Sequence, residues 1–186
     1  MRKPKIVLKK VKYHQGHEGD GVNCDVWLDG VNCLHVLDDG NGGGLNITDN
    51  AYGSKRPELI KNLVKELNNF VNSLPEQTLD FGTGNCIKDK QGKDKLFKIT
   101  LEDYINDMLI EHQKAKEMKK MQKLMLTSFV IGVPNGASYS YINYKKPLSS
   151  MPKVWLQGRL ENIIKMHCAG EAEILNTNLK ELGLKI

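Results

Sequence analysis

The residues of this sequence with the most chemistry to offer stand in two glycine-rich segments, 14–21 and 38–44. Both segments belong to an acidic stretch, residues 13–54, that contains seven acidic side chains and neither Lys nor Arg. Imidazole, carboxylate and amide groups bind cations, and glycine lets backbone N–H groups approach an anion closely. We therefore predict a ligand-binding rim, formed by these two segments. Its candidate ligand-binding residues are His14, Gly16, His17, Gly19, Asp38, Asp39, Asn41 and Gly42.

A divalent metal is the first ligand that the rim could hold. Oxygen ligands from Asp and Asn suit Ca²⁺ or Mg²⁺, whereas His combined with Asp suits Zn²⁺ or Mn²⁺. However, segment 38–49 lacks the alternating ligands and the terminal Glu of an EF-hand loop, and His14 and His17 lack the i, i+4 spacing of a zinc-binding helix. No cofactor is predicted, and a divalent metal stays an open hypothesis.

A phosphate group is the second ligand to consider. Neither glycine-rich segment is followed by the Gly-Lys-Ser/Thr of a P-loop, and the order of glycines in residues 16–21 does not match a dinucleotide-binding fingerprint. The surrounding carboxylates would also repel phosphate unless the basic N-terminus compensates for them. A plainer interpretation is that these glycines serve turns that need positive φ.

Basic side chains supply a second set of candidate residues. Residues 1–12 contain six basic side chains and no acid, and the whole chain has a net charge of +5. Lys and Arg neutralise phosphates, and Tyr rings on a sheet can stack on bases, although such residues also serve as solvated surface, helix-dipole partners and packing. The predicted nucleic-acid or anion contacts are Arg2, Lys3, Lys5, Lys116, Lys119, Lys120, Lys123, Tyr139 and Tyr141.

The sequence offers little for nucleophilic catalysis, so no catalytic residue is predicted. It contains no Gly-x-Ser-x-Gly, and His167 and Cys168 are neighbours on a predicted helix, where their side chains point about 100° apart. His35 is predicted to be a satisfied core histidine. These observations favour a binding protein over an enzyme, and the enzymatic alternative is a metal-assisted hydrolase of phosphodiester or nucleotide substrates.

A β-meander must position the rim. Strands are predicted at 5–13, 22–28, 31–38 and 45–47, and Asp29-Gly30 is a typical two-residue hairpin turn. The predicted pairs are Leu28 with Val31, Val26 with Cys33, and Cys24 with His35. This register puts His35 and Leu37 on the core face, and Leu34 and Val36 on the other face. Alternate connections of a meander lie at one end of the sheet, so the two glycine-rich segments should be neighbours.

Amphipathic helices and a second hairpin follow the meander. Helices are predicted from Pro57 to Pro75, from the capping box at Thr100, and from Pro152 to Gly170, with a short helix in the C-terminal tail. The hairpin covers 124–144. The predicted fold class is α+β: an N-terminal antiparallel β-meander with glycine-rich loops, then amphipathic helices and a second β-hairpin. Two modules are predicted, 1–54 and 55–186, which either stand apart or share one core.

Composition sets the remaining expectations. No run approaches 18 apolar residues, lysines interrupt any apolar segment near the N-terminus, and the four cysteines form no Cys-x-x-Cys pair. We therefore expect a small cytoplasmic protein without a membrane segment that binds an anionic ligand, either a nucleic acid or a nucleotide-like molecule, without catalysis. The alternative partner is a protein, as for an inhibitor of the kind that phages or mobile elements encode. No pattern indicates the oligomeric state.

Overall fold

The computed structural model describes residues 2–78, 87–134, 136, 138–168 and 170–186. The chain is an α+β protein, which confirms the predicted fold class. It divides into two compact units, Met1–Glu111 and His112–Ile186, and the division falls within the second helix. The elements are β1 (Ile6–Gln15), β2 (Asp20–Leu28), β3 (Val31–Asp38), β4 (Asn46–Asp49), α1 (Pro57–Asn72), β5 (Gln77–Thr78), β6 (Leu96–Phe97), α2 (Leu101–Met125), β7 (Ser128–Gly132), β8 (Tyr139–Asn143), α3 (Lys153–His167) and β9 (Glu173–Ile174).

The first unit is built on an antiparallel meander in the order β1-β2-β3-β4. Helix α1 begins at Pro57, a favoured first helical residue, and its apolar side chains recur every three or four positions. This stripe packs against one face of the sheet together with the start of α2, so strands and helix share a core. The buried helical residues of that core are Ile60, Leu63, Leu67, Val71, Ile105 and Leu109.

The capping box at the start of α2 forms as its sequence indicates. Thr100 N donates to Asp103 Oδ2 at 2.9 Å, and Asp103 N donates to Thr100 Oγ1 at 3.1 Å. Each side chain thus satisfies a backbone N–H that the first helical turn would leave without a partner. The helix continues to Met125, further than the sequence indicates, so strand β7 begins only at Ser128 rather than at residue 124.

A β-bulge in β1 determines which residues of this strand face the core and which lysines are exposed. Lys9 lies opposite Asp25 and Lys12 lies opposite Asn23, so two residues of β1 face one residue of β2. Lys10, the first of the two, has a φ of 53°, a backbone conformation that residues other than glycine rarely adopt. The extra residue turns Val11 and Tyr13 inward against the core and leaves Lys12 exposed.

A second bulge, in β3, overturns the predicted hairpin register. The pairs next to the turn form as expected, but Val26 pairs with Leu34 and Asp25 pairs with His35, because Cys33 is an extra residue. A shift of one residue moves each following side chain to the other face of the sheet. Leu34 is therefore 2% exposed in the core, while the predicted core histidine His35 lies on the outer face with 38% of its side chain exposed. The predicted positions of Val36 and Leu37 are wrong for the same reason.

The second unit contains a three-stranded sheet in the order β8-β7-β9, with α3 packed against it. The central strand β7 is buried on both faces, from Ser128 to Ile131. The C-terminal tail was predicted as a short helix; instead it forms β9 and then a series of turns. Buried Asn176 accounts for part of this course, because its Oδ1 accepts from Val130 N at 2.7 Å and its Nδ2 donates to the carbonyl oxygens of Ser128 and Met125.

No helix among the described residues has both the length and the apolar character needed to cross a lipid bilayer.

Candidate functional site

The two glycine-rich segments of the rim lie against each other. Glu18 N donates to the carbonyl oxygen of Gly40 at 2.9 Å, and His17 N donates to Asn41 Oδ1 at 3.3 Å. The first connection is shorter than its glycines indicate, because β1 runs to Gln15 and β2 starts at Asp20, leaving only residues 16–19 as the loop. The structure thus brings the eight predicted rim residues to one end of the sheet.

Close packing explains two of the rim glycines. A Cβ atom on Gly16 would clash with the carbonyl of Gly40, and a Cβ atom on Gly21 would clash with the imidazole of His14. Positive φ explains two others, since Gly40 has a φ of 70° and Gly42 a φ of 76°. These glycines serve the contact between the two loops and their turns.

Three polar side chains of the rim, those of Asp38, Asp39 and Asn41, accept hydrogen bonds from backbone N–H groups. Asp38 Oδ1 accepts from Gly40 N at 2.8 Å, and Asp39 Oδ1 accepts from Asn41 N at 3.0 Å, so both are turn-capping interactions. Asn41 itself caps His17, as described above. Over the described ranges, no group of three or more His, Cys, Asp or Glu side chains is arranged to hold a metal ion.

The outer face of the first sheet, opposite α1, holds a different kind of surface. A cleft of about 470 Å³ is lined there by Lys5, Val7, Lys9, Trp27 and the Asp29-Gly30 turn. Lys9 Nζ lies 3.5 Å from the centre of the Trp27 ring, a close cation–π contact. The indole Nε1–H of Trp27 is buried and has no hydrogen-bond partner in the described part of the chain.

The carboxylates of this outer face are already paired with cations. Lys10 Nζ lies 2.9 Å from Asp25 Oδ2, and His35 Nδ1 lies 3.4 Å from its Oδ1. The Lys10 ammonium lowers the pKa of Asp25, and His35 adds to this, although burial acts in the opposite direction. Asp29 is paired in the same way with Arg2, at 3.0 Å.

Three exposed lysines of this face are left over. Lys9 projects from one side of the edge strand β1, and Lys5, just before the strand begins, lines the same cleft. The bulge keeps Lys12 on that side of the strand. Within the ranges that the structure describes, no carboxylate lies within 4.0 Å of their ammonium groups. We call Lys5, Lys9, Lys12 and Trp27 the lysine face.

The other predicted anion contacts are dispersed. Arg2 is paired with Asp29, as above, and Lys3 Nζ lies 5.6 Å from the centre of the Phe70 ring. In the second unit, Tyr141 is 52% exposed and Tyr139 lines an apolar cleft of about 400 Å³ beside α2. The exposed lysines of α2 lie on the side of the helix away from that cleft, at 100° per residue. They are Lys116, Lys119, Lys120 and Lys123.

The described cysteines have little nucleophilic character. Cys24, Cys33 and Cys168 are free thiols, and burial raises the pKa of each, that of Cys24 to about 11. A thiol with a raised pKa stays protonated at neutral pH, and the protonated form is a poor nucleophile and metal ligand.

Lys9 and Lys12 belong to the basic N-terminal segment that the sequence indicates as favouring an anionic partner, but the sequence does not place them on one surface with Trp27. The alternation of Lys5, Val7 and Lys9 was a usable signal, since alternate residues of a strand share a face. Placing Trp27 beside them needed the β1–β2 register, and that register depends on a bulge.

Comparison of the chain with protein-family models, with curated proteins and with solved structures finds no match.

Proposed function

We propose that this protein binds nucleic acid, without catalysis, through the lysine face of its first unit. The observation that carries the proposal is a surplus of positive charge beside an aromatic ring. Lys5, Lys9 and Lys12 have no carboxylate partner among the described residues, and Trp27 lies next to Lys9. Cationic side chains supply most of the affinity for a phosphate backbone, and aromatic rings interact with bases.

The length of the lysine face favours a polymer over a single nucleotide. A strand rises about 3.3 Å per residue, so Lys5 and Lys12 are separated by roughly 20 Å along β1. One phosphate group cannot contact lysines so far apart, whereas a nucleic-acid backbone can follow the strand. Of the two anionic ligands that the sequence suggests, the geometry therefore supports nucleic acid better than a nucleotide-like molecule.

The acidic rim limits how far along the sheet a nucleic acid can bind. At the far end of β1 the acidic side chains Asp20, Asp38 and Asp39 follow the last lysine within a few residues along or across the sheet. Negative charges repel phosphate, so the nucleic acid is expected to lie along residues 5–12 and to end before the rim.

The test is a salt titration of the affinity for a fluorescently labelled oligonucleotide. The variant Lys9→Gln/Lys12→Gln removes two charges from the lysine face. The control, Lys61→Gln/Lys65→Gln, removes two exposed charges from α1, on the other side of the same sheet. Each phosphate contact contributes about 0.7 to the slope of log affinity against log salt for a single strand.

We expect the lysine-face variant to lose about 1.4 from that slope, two contacts at about 0.7 each, and the control to keep the slope of the unaltered protein. The proposal fails if the unaltered protein does not bind at about 50 mM salt, where phosphate contacts are strong. It also fails if both variants lose affinity equally. A third variant, Lys119→Gln/Lys120→Gln, measures whether the basic side of α2 makes a separate contribution.

A further inference from the structure

Trp27 lines an open cleft and is not packed in the core. Its ring forms part of the wall of an open cleft, opposite Val7 across the β1–β2 pairing. The ammonium group of Lys9 covers the ring at 3.5 Å. Lys9 is exposed, and in the described part of the chain no carboxylate holds its ammonium group in place. The covering group can therefore move away at small cost.

From this geometry we infer, on the basis of the proposed function, that the ligand is single-stranded nucleic acid and that an unpaired base stacks on Trp27 in place of the Lys9 ammonium. The exchange is favourable in magnitude. An exposed cation–π contact contributes about 2- to 5-fold to an equilibrium. Stacking of a base on an aromatic side chain contributes about 5- to 150-fold. A base therefore displaces the ammonium, which becomes free to contact a neighbouring phosphate.

The unpartnered indole N–H supports the same ligand. A buried donor without an acceptor is unfavourable, and the described part of the chain supplies no acceptor for Trp27 Nε1. Because Nε1 has almost no accessible surface here, a phosphate, sugar or base oxygen of a nucleotide reaches this donor only after the Lys9 side chain has moved off the ring. Inorganic anions or sulfated sugars offer oxygens as well, but they have no flat aromatic face for the ring.

Duplex nucleic acid cannot make this contact without opening. Its bases are stacked on one another and paired, so their faces are not available to a ring on the surface of a sheet, whereas unpaired bases are. A duplex would contact only the lysines, as any polyanion would. We therefore expect different behaviour from three polyanions: a single strand, a duplex of the same sequence, and heparin.

The experiment follows the fluorescence of Trp27 in a Trp155→Phe background, where it is the only tryptophan. Each of the three polyanions is added at about 50 mM salt, and its affinity is measured in parallel by competition with a labelled oligonucleotide. We expect the single strand to quench Trp27 and to bind at least about 5-fold more tightly than the duplex. Heparin and duplex should bind without comparable quenching.

Two substitutions separate stacking from folding. Trp27→Leu should weaken single-strand binding by about 5- to 150-fold while changing heparin affinity less than twofold, and Trp27→Phe, which keeps an aromatic face, should restore most of the loss. If single strand and duplex bind equally and neither quenches Trp27, the inference is wrong while the proposed function stands. If none of the three polyanions binds, both are wrong.

Discussion

The rim and the lysine face lie on the same small sheet, yet they use their polar side chains in opposite ways. In the rim, Asp38, Asp39 and Asn41 each accept a hydrogen bond from a nearby backbone N–H. On the lysine face, three ammonium groups have no carboxylate partner in the described part of the chain, and the Trp27 N–H has no acceptor there. The rim thus uses three of its polar side chains to hold its own loops, whereas the three ammonium groups of the lysine face hold no carboxylate of the described chain.

The difference has a simple physical origin. A loop leaves backbone groups without regular partners, so its side chains are recruited to satisfy them. A strand pairs its backbone with a neighbouring strand, on one side even at the edge of a sheet, so it recruits few side chains and the outward ones stay available for other molecules. A dense group of His, Asp and Gly in a loop is therefore weaker support for a binding site than a few lysines on a sheet face that form no ion pair with the described residues.

The largest expected effect concerns the bulge in β3, which sorts residues between the core and the outer face. Leu34→Ala removes a side chain that is 2% exposed and should lower the free energy of unfolding by about 2–5 kcal/mol. Leu37→Ala, the same substitution on the outer face, should cost about 1 kcal/mol or less. Urea denaturation of both variants measures the two values. If Leu37→Ala lowered the free energy of unfolding more than Leu34→Ala, the hairpin register without a bulge would be the correct one.

The next effect tests whether the two loops of the rim are held together by close packing. Gly16→Ala places a methyl group against the Gly40 carbonyl and should cost about 1–3 kcal/mol, because backbone must move to make room. Gly19→Ala is the matched control in the same loop, where a Cβ atom would meet nothing within 4 Å. It should change the unfolding free energy by less than about 0.5 kcal/mol. Equal effects in chemical denaturation would contradict the tight contact between the loops.

A smaller effect tests the charge pairing that leaves the lysine face with excess positive charge. The pKa of Asp25 is lowered in the folded protein, chiefly by Lys10, so its carboxylate stabilises the fold above the unfolded pKa of about 3.9, and this stability is lost as the pH falls through the folded value. Asp25→Asn should therefore cost about 1 kcal/mol at pH 7 and progressively less at lower pH. Thermal unfolding followed from pH 7 to pH 2 shows whether the two curves converge. Parallel curves would mean that Asp25 carries no such stabilisation.

Local signals in the sequence were sufficient for much of the fold. The Asp29-Gly30 turn, the capping box at Thr100 and the apolar stripe of α1 each depend on residues within a few positions of one another. Because each depends on nearby residues alone, the α+β class could be predicted from the sequence.

The two bulges could not be read with the same ease, because each depends on a partner strand. The sequence of β3 nevertheless contains two incompatible alternation patterns, from which its bulge could have been predicted. The turn requires Val31 to face the core beside Leu28, whereas the alternation of Leu34, His35 and Val36 requires the opposite parity further along. One extra residue between the two resolves this conflict. The lysine face depends on the corresponding bulge in β1, so it was beyond local pattern reading.

The most direct test of the central comparison is an NMR titration of the ¹⁵N-labelled protein with a single-stranded oligonucleotide. We expect the indole N–H signal of Trp27 and the backbone amides of residues 5–12 to shift together, in proportion to bound ligand, while the amides of residues 16–19 and 40–42 keep their positions. Shifts concentrated in the rim, with the Trp27 indole signal unmoved, would contradict this expectation.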